Sequence, residues 1–138
     1  MAPRLLIGTD IFIHVRQRRT DVIARFKRVP AGDAAISVIT YGELIYGVQK
    51  SAQRDRAIEV LTEMIGLLPV LALPPNAAST YGEIRAALEA KGEIIGNNDL
   101  WIAAHAKAAG LTLVTNNQRE FSRIKGLKIE TWVRGAKR

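Results

Sequence analysis

The chain has 138 residues, 48% of them hydrophobic, and a formal charge of +7. That is enough for one domain with its own core and too apolar for a disordered tail. The absence of cysteine excludes disulfides, thiolate metal sites and cysteine nucleophiles.

A cysteine-free chain fits a reducing cytoplasm. Met1 to Ile7 is too short for a signal peptide, and no apolar run approaches the roughly 20 residues that cross a bilayer, so no membrane partner is expected. A pI near 10.1 raises the local concentration of polyanions. RNA, DNA, an acidic protein and an anionic membrane surface all satisfy that, so the charge supports a nucleic-acid partner without choosing one, and plain solubility is the alternative.

Leu5-Leu6-Ile7 reads as a buried strand ending at Gly8-Thr9-Asp10, and Ile11, Phe12 and Val15 predict a short helix. After the basic stretch Arg16, Arg18 and Arg19, Thr20 is a candidate N-cap for a helix over Asp21 to Arg28. Ala34 to Ile36 is a second strand, and Ser37 or Thr40 could cap the helix running to about Ser51. Arg54 to Ile65 is helical by the spacing of Ile58, Leu61 and Ile65, and Val70 to Leu73 is a strand closed by Pro74-Pro75. An amphipathic helix covers Asn76 to Ala90, a loop Glu93 to Asn98, and an Ala-rich core helix Asp99 to Ala109. Leu111 to Thr115 is a buried strand, Glu120 to Ile124 a short helix, Leu127 to Val133 a last strand and Gly135 to Arg138 a loose basic tail. Strands alternating with helices predict one α/β domain, a parallel sheet with helices on both faces.

Ligands of such sheets bind outside the carboxyl ends of the strands. Asp10, Glu43, Asp99 and the run Thr115-Asn116-Asn117 with Glu120 all follow a strand or open a helix, so the topology brings them to one edge. Singly, Asp99 reads as an acid complementing a helix dipole and Glu43 as a solvated helix position. Together they form a set of oxygen donors whose mutual repulsion a magnesium or manganese ion would relieve. No Gly-rich phosphate loop is present. The two histidines, His14 and His105, read as packing residues, and no serine sits in a nucleophile elbow.

Ile95-Gly96-Asn97-Asn98-Asp99-Leu100-Trp101-Ile102-Ala103-Ala104-His105-Ala106 closely resembles the third motif of PIN-domain ribonucleases, and specifically of VapC toxins of bacterial toxin–antitoxin pairs. Leu113 to Phe121 resembles their fourth motif, and Ser37 to Gly47 their second. Tyr81 to Arg85 and Ile129 to Trp132 also fit, so the resemblance spans nearly the whole chain in order. The first motif departs from the family. Ile7-Gly8-Thr9-Asp10 stands where Leu-Asp-Thr followed by Asn or Asp is usual, which puts Gly8 at the first metal-binding aspartate.

The resemblance implies a PIN-like three-layer sandwich with a central, mostly parallel sheet. It implies a Mg²⁺- or Mn²⁺-dependent endoribonuclease acting on structured RNA such as tRNA. Glu43 and Asp99 would hold the ion, Glu120 or Asn117 would complete the outer part of the site, and Thr115 would donate a hydrogen bond nearby. Arg16, Arg18, Arg19, Arg85, Arg119 and Arg123 are candidates to hold the RNA backbone, each with a solvated surface as its alternative. The implied partners are a cognate VapB-type antitoxin, operator DNA through the antitoxin complex, and a second copy in a homodimer. Ile45, Val48, Ile58 and Leu61 are candidates for such contacts, with core packing as the alternative. Because Gly8 supplies no ligand, weak or absent cleavage is expected, with Gly8→Asp restoring it unless Asp10 compensates. A PIN-fold protein that only binds RNA or an antitoxin is the competing reading. A flap-DNA nuclease ranks last, because the chain lacks the extra helices of an arch.

Overall fold

Leu5–Ile7 (β1) is fully buried, and its side chains divide between two cores. Leu5 and Ile7 pack with Ile11, Phe12, Val22 and Trp132, whereas Leu6 packs with Ile84, Leu88, Ile102 and Leu113. Alternate residues of a strand point to opposite faces, so a strand without polar positions must be covered on both sides. The computed structural model, which describes residues 2–66 and 68–133, has that layering: a sheet between two sets of helices.

After β1 come α1 (Thr9–Arg16), α2 (Thr20–Lys27), β2 (Ala34–Ser37), α3 (Val38–Gln49), α4 (Arg54–Ile65) and β3 (Val70–Leu71). The chain continues through α5 (Ala77–Lys91), α6 (Asn97–Ala109), β4 (Thr112–Val114), α7 (Gln118–Phe121) and β5 (Ile129–Glu130). The strands lie in the order β3-β2-β1-β4-β5, and every pairing is parallel. The chain steps outward from β1 to β2 and β3, then returns to the other side of β1 with β4. The strand order therefore reverses between β1 and β4, where open α/β sheets form their binding crevice. Ile7 pairs with Val114 there, which sets Gly8 beside Thr115.

Several elements differ from the sequence expectation. The strands after Val70 and Leu127 shorten to two residues each. Helix α6 starts at Asn97 rather than Asp99, so Asn97 and Asn98 join its first turn. Thr20 does not cap α2 but lies inside it; the chain enters through extended Arg19, and the Asp21 carboxylate accepts the Val22 N–H. Val48 and Leu61 are core residues at 8% and 3% exposure, whereas Ile58 is exposed and Ile45 half-buried. The expected basic tail, residues 135–138, lies outside the described residues.

Of the two capping candidates for α3, Ser37 is the one used. Its hydroxyl accepts the Ile39 N–H at 3.1 Å and sits 2.8 Å from His105 Nδ1. His105 is 1% exposed, and burial lowers its pKa, so the neutral imidazole is the packing residue the sequence suggested. Ser37→Ala removes the cap and leaves a buried ring nitrogen without its partner. It is expected to cost about 1–3 kcal/mol in urea unfolding.

Candidate active site

Three consecutive residues leave β1 and face different parts of the crevice. Thr9 points toward α3: its hydroxyl donates to Glu43 Oε1 at 2.5 Å and lies 3.2 Å from the buried Thr40 hydroxyl. Asn98, at the mouth of α6, donates from Nδ2 to the other oxygen, Glu43 Oε2, at 3.3 Å. Glu43 is thus held by residues from two other elements.

Asp10 points the other way, toward the end of β4. Its Oδ1 accepts from the Thr115 hydroxyl at 3.1 Å and its Oδ2 from the Asn116 backbone N–H at 2.7 Å. Thr115 is fully buried, and its oxygen also accepts the Asn117 N–H at 3.0 Å. Thr115 does donate a hydrogen bond in the crevice, and the recipient is Asp10. Asn117 donates to Glu120 Oε1 at 2.8 Å, so these two candidates for the outer site orient one another.

Gly8 lies buried between these arms, with φ −73° and ψ 157°, a conformation open to any residue. Space is what is tight. A side chain there would begin 2.8 Å from the Val114 carbonyl oxygen and 3.0 Å from Asp10 Oδ1. The first contact is with strand backbone, which yields little.

Asp99 has its carboxyl pushed up to about 6. Burial is the main cause, followed by the negative charges of Glu43, Glu120 and Asp10, in that order. Asp99 on α6 therefore feels the acids of three other elements, α1, α3 and α7. Among the described residues, no three acidic or histidine side chains are gathered tightly enough to grip a metal ion as they lie. Glu43, Asp10 and Glu120 are each turned to their own hydrogen-bond donors.

Sequence reasoning set Thr9 at the sheet edge, with Gly8 and Asp10, without giving it a role, and it singled out neither Asn98 nor the buttress beneath α6. Tyr81 stacks on Trp101, with ring centres 3.8 Å apart. Its hydroxyl donates to Asn97 Oδ1 at 2.5 Å and accepts from Arg85 Nη1 at 2.8 Å. Arg85 also pairs with Glu89, and its pKa is raised by those two partners. Arg85 therefore braces the α6 entrance. Arg19 pairs with Asp21, and Arg123 donates to the Glu93 and Ile94 carbonyls. None of these three is simply a free cation awaiting phosphate.

A second concave feature runs along α4. A cavity of about 330 Å³ is lined by Arg16, Leu44, Val48, Val60, Leu61 and Met64. A neighbouring hollow shares Val60 and Met64 and adds Val15, Ile23 and Phe26. The two hollows adjoin at Val60 and Met64 on the side of α4 that faces α1 to α3, and their rims are polar: Arg16, Ser51, Gln53 and Arg56 on the first, Lys27 and Glu63 on the second.

A profile of the PIN domain matches residues 6–127. Ribonuclease VapC2 of Haemophilus influenzae is 41% identical over 131 residues, 94% of this chain and 98% of that one. The tRNA(fMet)-specific endonuclease VapC of Shigella flexneri is 38% identical over 130 residues, with the same coverage of 94% and 98%. Among solved structures, VapBC2 of Rickettsia felis bound to a DNA fragment from its promoter superposes with a TM-score of 0.85 at 39% identity, covering 93% of this chain and 98% of that one. DNA-bound VapBC of Salmonella typhimurium gives 0.86 at 38% identity, covering 96% and 99%.

Proposed function

Because the chain belongs to the PIN-domain family, among its VapC ribonucleases, we propose that it is a divalent-metal-dependent endoribonuclease toxin that cuts tRNA and is restrained by a cognate VapB-type antitoxin. The observation that carries this reading is the convergence of Asp10, Glu43, Asp99 and Glu120 at the point where the strand order reverses.

The donor set suits a hard cation in kind. All the charged groups are carboxylates, the nearby neutral groups are amides and hydroxyls, and burial together with three neighbouring acids raises the Asp99 carboxyl to about 6. Glu43 and Asp99 would hold Mg²⁺ or Mn²⁺. When bound, the ion would supply positive charge at the scissile phosphate and lower the pKa of an attacking water. The chain's own part is positioning. Thr9 and Asn98 fix Glu43, Asn117 fixes Glu120, and the stacked Tyr81 and Trp101 steady the α6 turn that carries Asp99. Arg16, Arg18 and Arg119, all exposed, would meet the RNA backbone.

The antitoxin's place is the groove where the two hollows adjoin along α4, which fits an amphipathic segment presenting an apolar face to Val60 and Met64 and acids to Arg16 and Arg56. Among the described residues, no helix is long and apolar enough to cross a membrane. The cytoplasm, where tRNA resides, is the compartment this reading requires.

The competing reading, a protein that binds RNA or antitoxin without cutting, draws on Gly8 alone. Because Asp10 Oδ1 lies 3.0 Å from where a side chain at residue 8 would begin, total tRNA incubated with the purified chain is expected to be cut with Mg²⁺ or Mn²⁺, despite Gly8, and left intact in EDTA. Intact tRNA under every metal condition, with RNA or antitoxin still bound, would favour the binding protein.

A further inference from the structure

We propose that Asp10 takes over the work of the carboxylate that residue 8 lacks, so that the ion-holding set of this chain is Asp10, Glu43 and Asp99. The inference rests on the metal-dependent reading above and assigns a position outside the family's usual first ligand.

Residue 8 has no side chain, yet the place where one would begin is not empty of charge. Asp10 Oδ1 lies 3.0 Å from it. The carboxylate reaches there from the first turn of α1, one residue beyond Thr9, whose own side chain is committed to Glu43. Two donors pin it, the Thr115 hydroxyl and the Asn116 N–H. A carboxylate has about four acceptor positions, so two such bonds leave capacity for a cation. The helix N-terminus beneath it favours negative charge.

The tight approach of Gly8 to Val114 fits the same assignment. The Gly8 N–H donates to the Val114 carbonyl at 2.8 Å, and a Cβ would stand 2.8 Å from that same oxygen. Gly8→Asp makes strand backbone shift at Val114 in any variant that carries it, and alone it also sets a second carboxylate against the first. The informative change is therefore an exchange, Gly8→Asp with Asp10→Asn, which moves the charge back while removing its competitor.

A latch for the loop after β4 is the rival role for Asp10, and charge separates the two. Asparagine keeps the size and one acceptor oxygen but not the negative charge. Mn²⁺ binding is measured by titration calorimetry for the unaltered chain, Asp10→Asn and the exchanged double variant, with thermal melts in EDTA to verify folding. If Asp10→Asn does not fold, Asp10→Ser is read in its place. Asp10→Asn is expected to bind Mn²⁺ about tenfold more weakly or worse, and the double variant, which has lost the same Asp10 carboxylate, is expected to recover. Equal Mn²⁺ affinity in the unaltered chain and in Asp10→Asn would overturn the assignment and leave only the latch. Binding by the double variant but not by the unaltered chain would overturn it too, while sparing the metal-dependent reading of the scaffold. Binding by none of the folded proteins would sink both.

Discussion

Asp99→Asn is expected to lower metal-dependent tRNA cleavage by about 10²–10³-fold or more, which corresponds to roughly 3–4 kcal/mol of transition-state stabilisation. Asparagine keeps the shape at the α6 entrance and an oxygen facing the crevice. It loses the charge that Glu43 and Asp99 would together offer a divalent cation. The loss should fall on kcat far more than on KM, because the RNA is held by cationic residues elsewhere. Single-turnover cleavage of a labelled tRNA measures it, and cleavage within a few-fold of the unaltered chain would remove Asp99 from the site.

The same substitution should make the protein more stable near neutral pH. A carboxyl with a folded pKa of about 6, against an ordinary 3.8, binds more protons folded than unfolded between those values. Its favourable contribution is therefore fully present below about pH 4 and is lost as pH rises through about 6. At pH 7.5 the ionised group costs the fold about 1–2 kcal/mol, after a discount for its partial exposure to solvent. Asp99→Asn has no such loss. Its melting temperature should exceed the unaltered chain's by a few degrees at about pH 7.5 and converge with it toward pH 4. A residue that costs stability while offering charge to a crevice is the expected signature of a functional acid.

The fold was legible because its signals are local. Leu5 to Ile7 and Leu111 to Thr115 are apolar throughout, as buried parallel strands must be, and Gly92 and Gly110 stop their helices with φ of 67° and 71°. Glu43 and Asp99 were legible because alternation of strand and helix sends both to one sheet edge. What hydrogen-bonds to what was not. Thr9 reaches Glu43 across 34 positions and Asp10 reaches Asn116 across 106, and nothing local tells that neighbouring residues turn to opposite walls. The Tyr81–Trp101 stack depends on how α5 lies on α6. Arg85 shows the limit of reading charge from sequence: it looks like a phosphate contact, but its partners on its own helix are Glu89 and Tyr81.

Met64→Glu is expected to weaken binding of the cognate antitoxin by about 100-fold or more while leaving tRNA cleavage by the free protein intact. Met64 is half-buried and belongs to both hollows of the α4 groove, so a carboxylate there would be desolvated by whatever apolar segment docks. Position 64 is at the far end of α4 from its N-terminal Arg54, and neither Met64 nor Val60 contributes to the hydrogen-bonded set around Glu43 and Asp99. Inhibition and catalysis should consequently separate: an antitoxin segment anchored in the groove controls the crevice only while the anchor holds. Calorimetric titration of antitoxin into the folded variant reads the first effect, and tRNA cleavage with and without antitoxin reads the second. Val60→Glu should behave alike, because Val60 lines the same two hollows one turn away. Full antitoxin affinity in both variants would move the docking surface off α4, and a parallel loss of cleavage would mean that the groove and the crevice act as one unit.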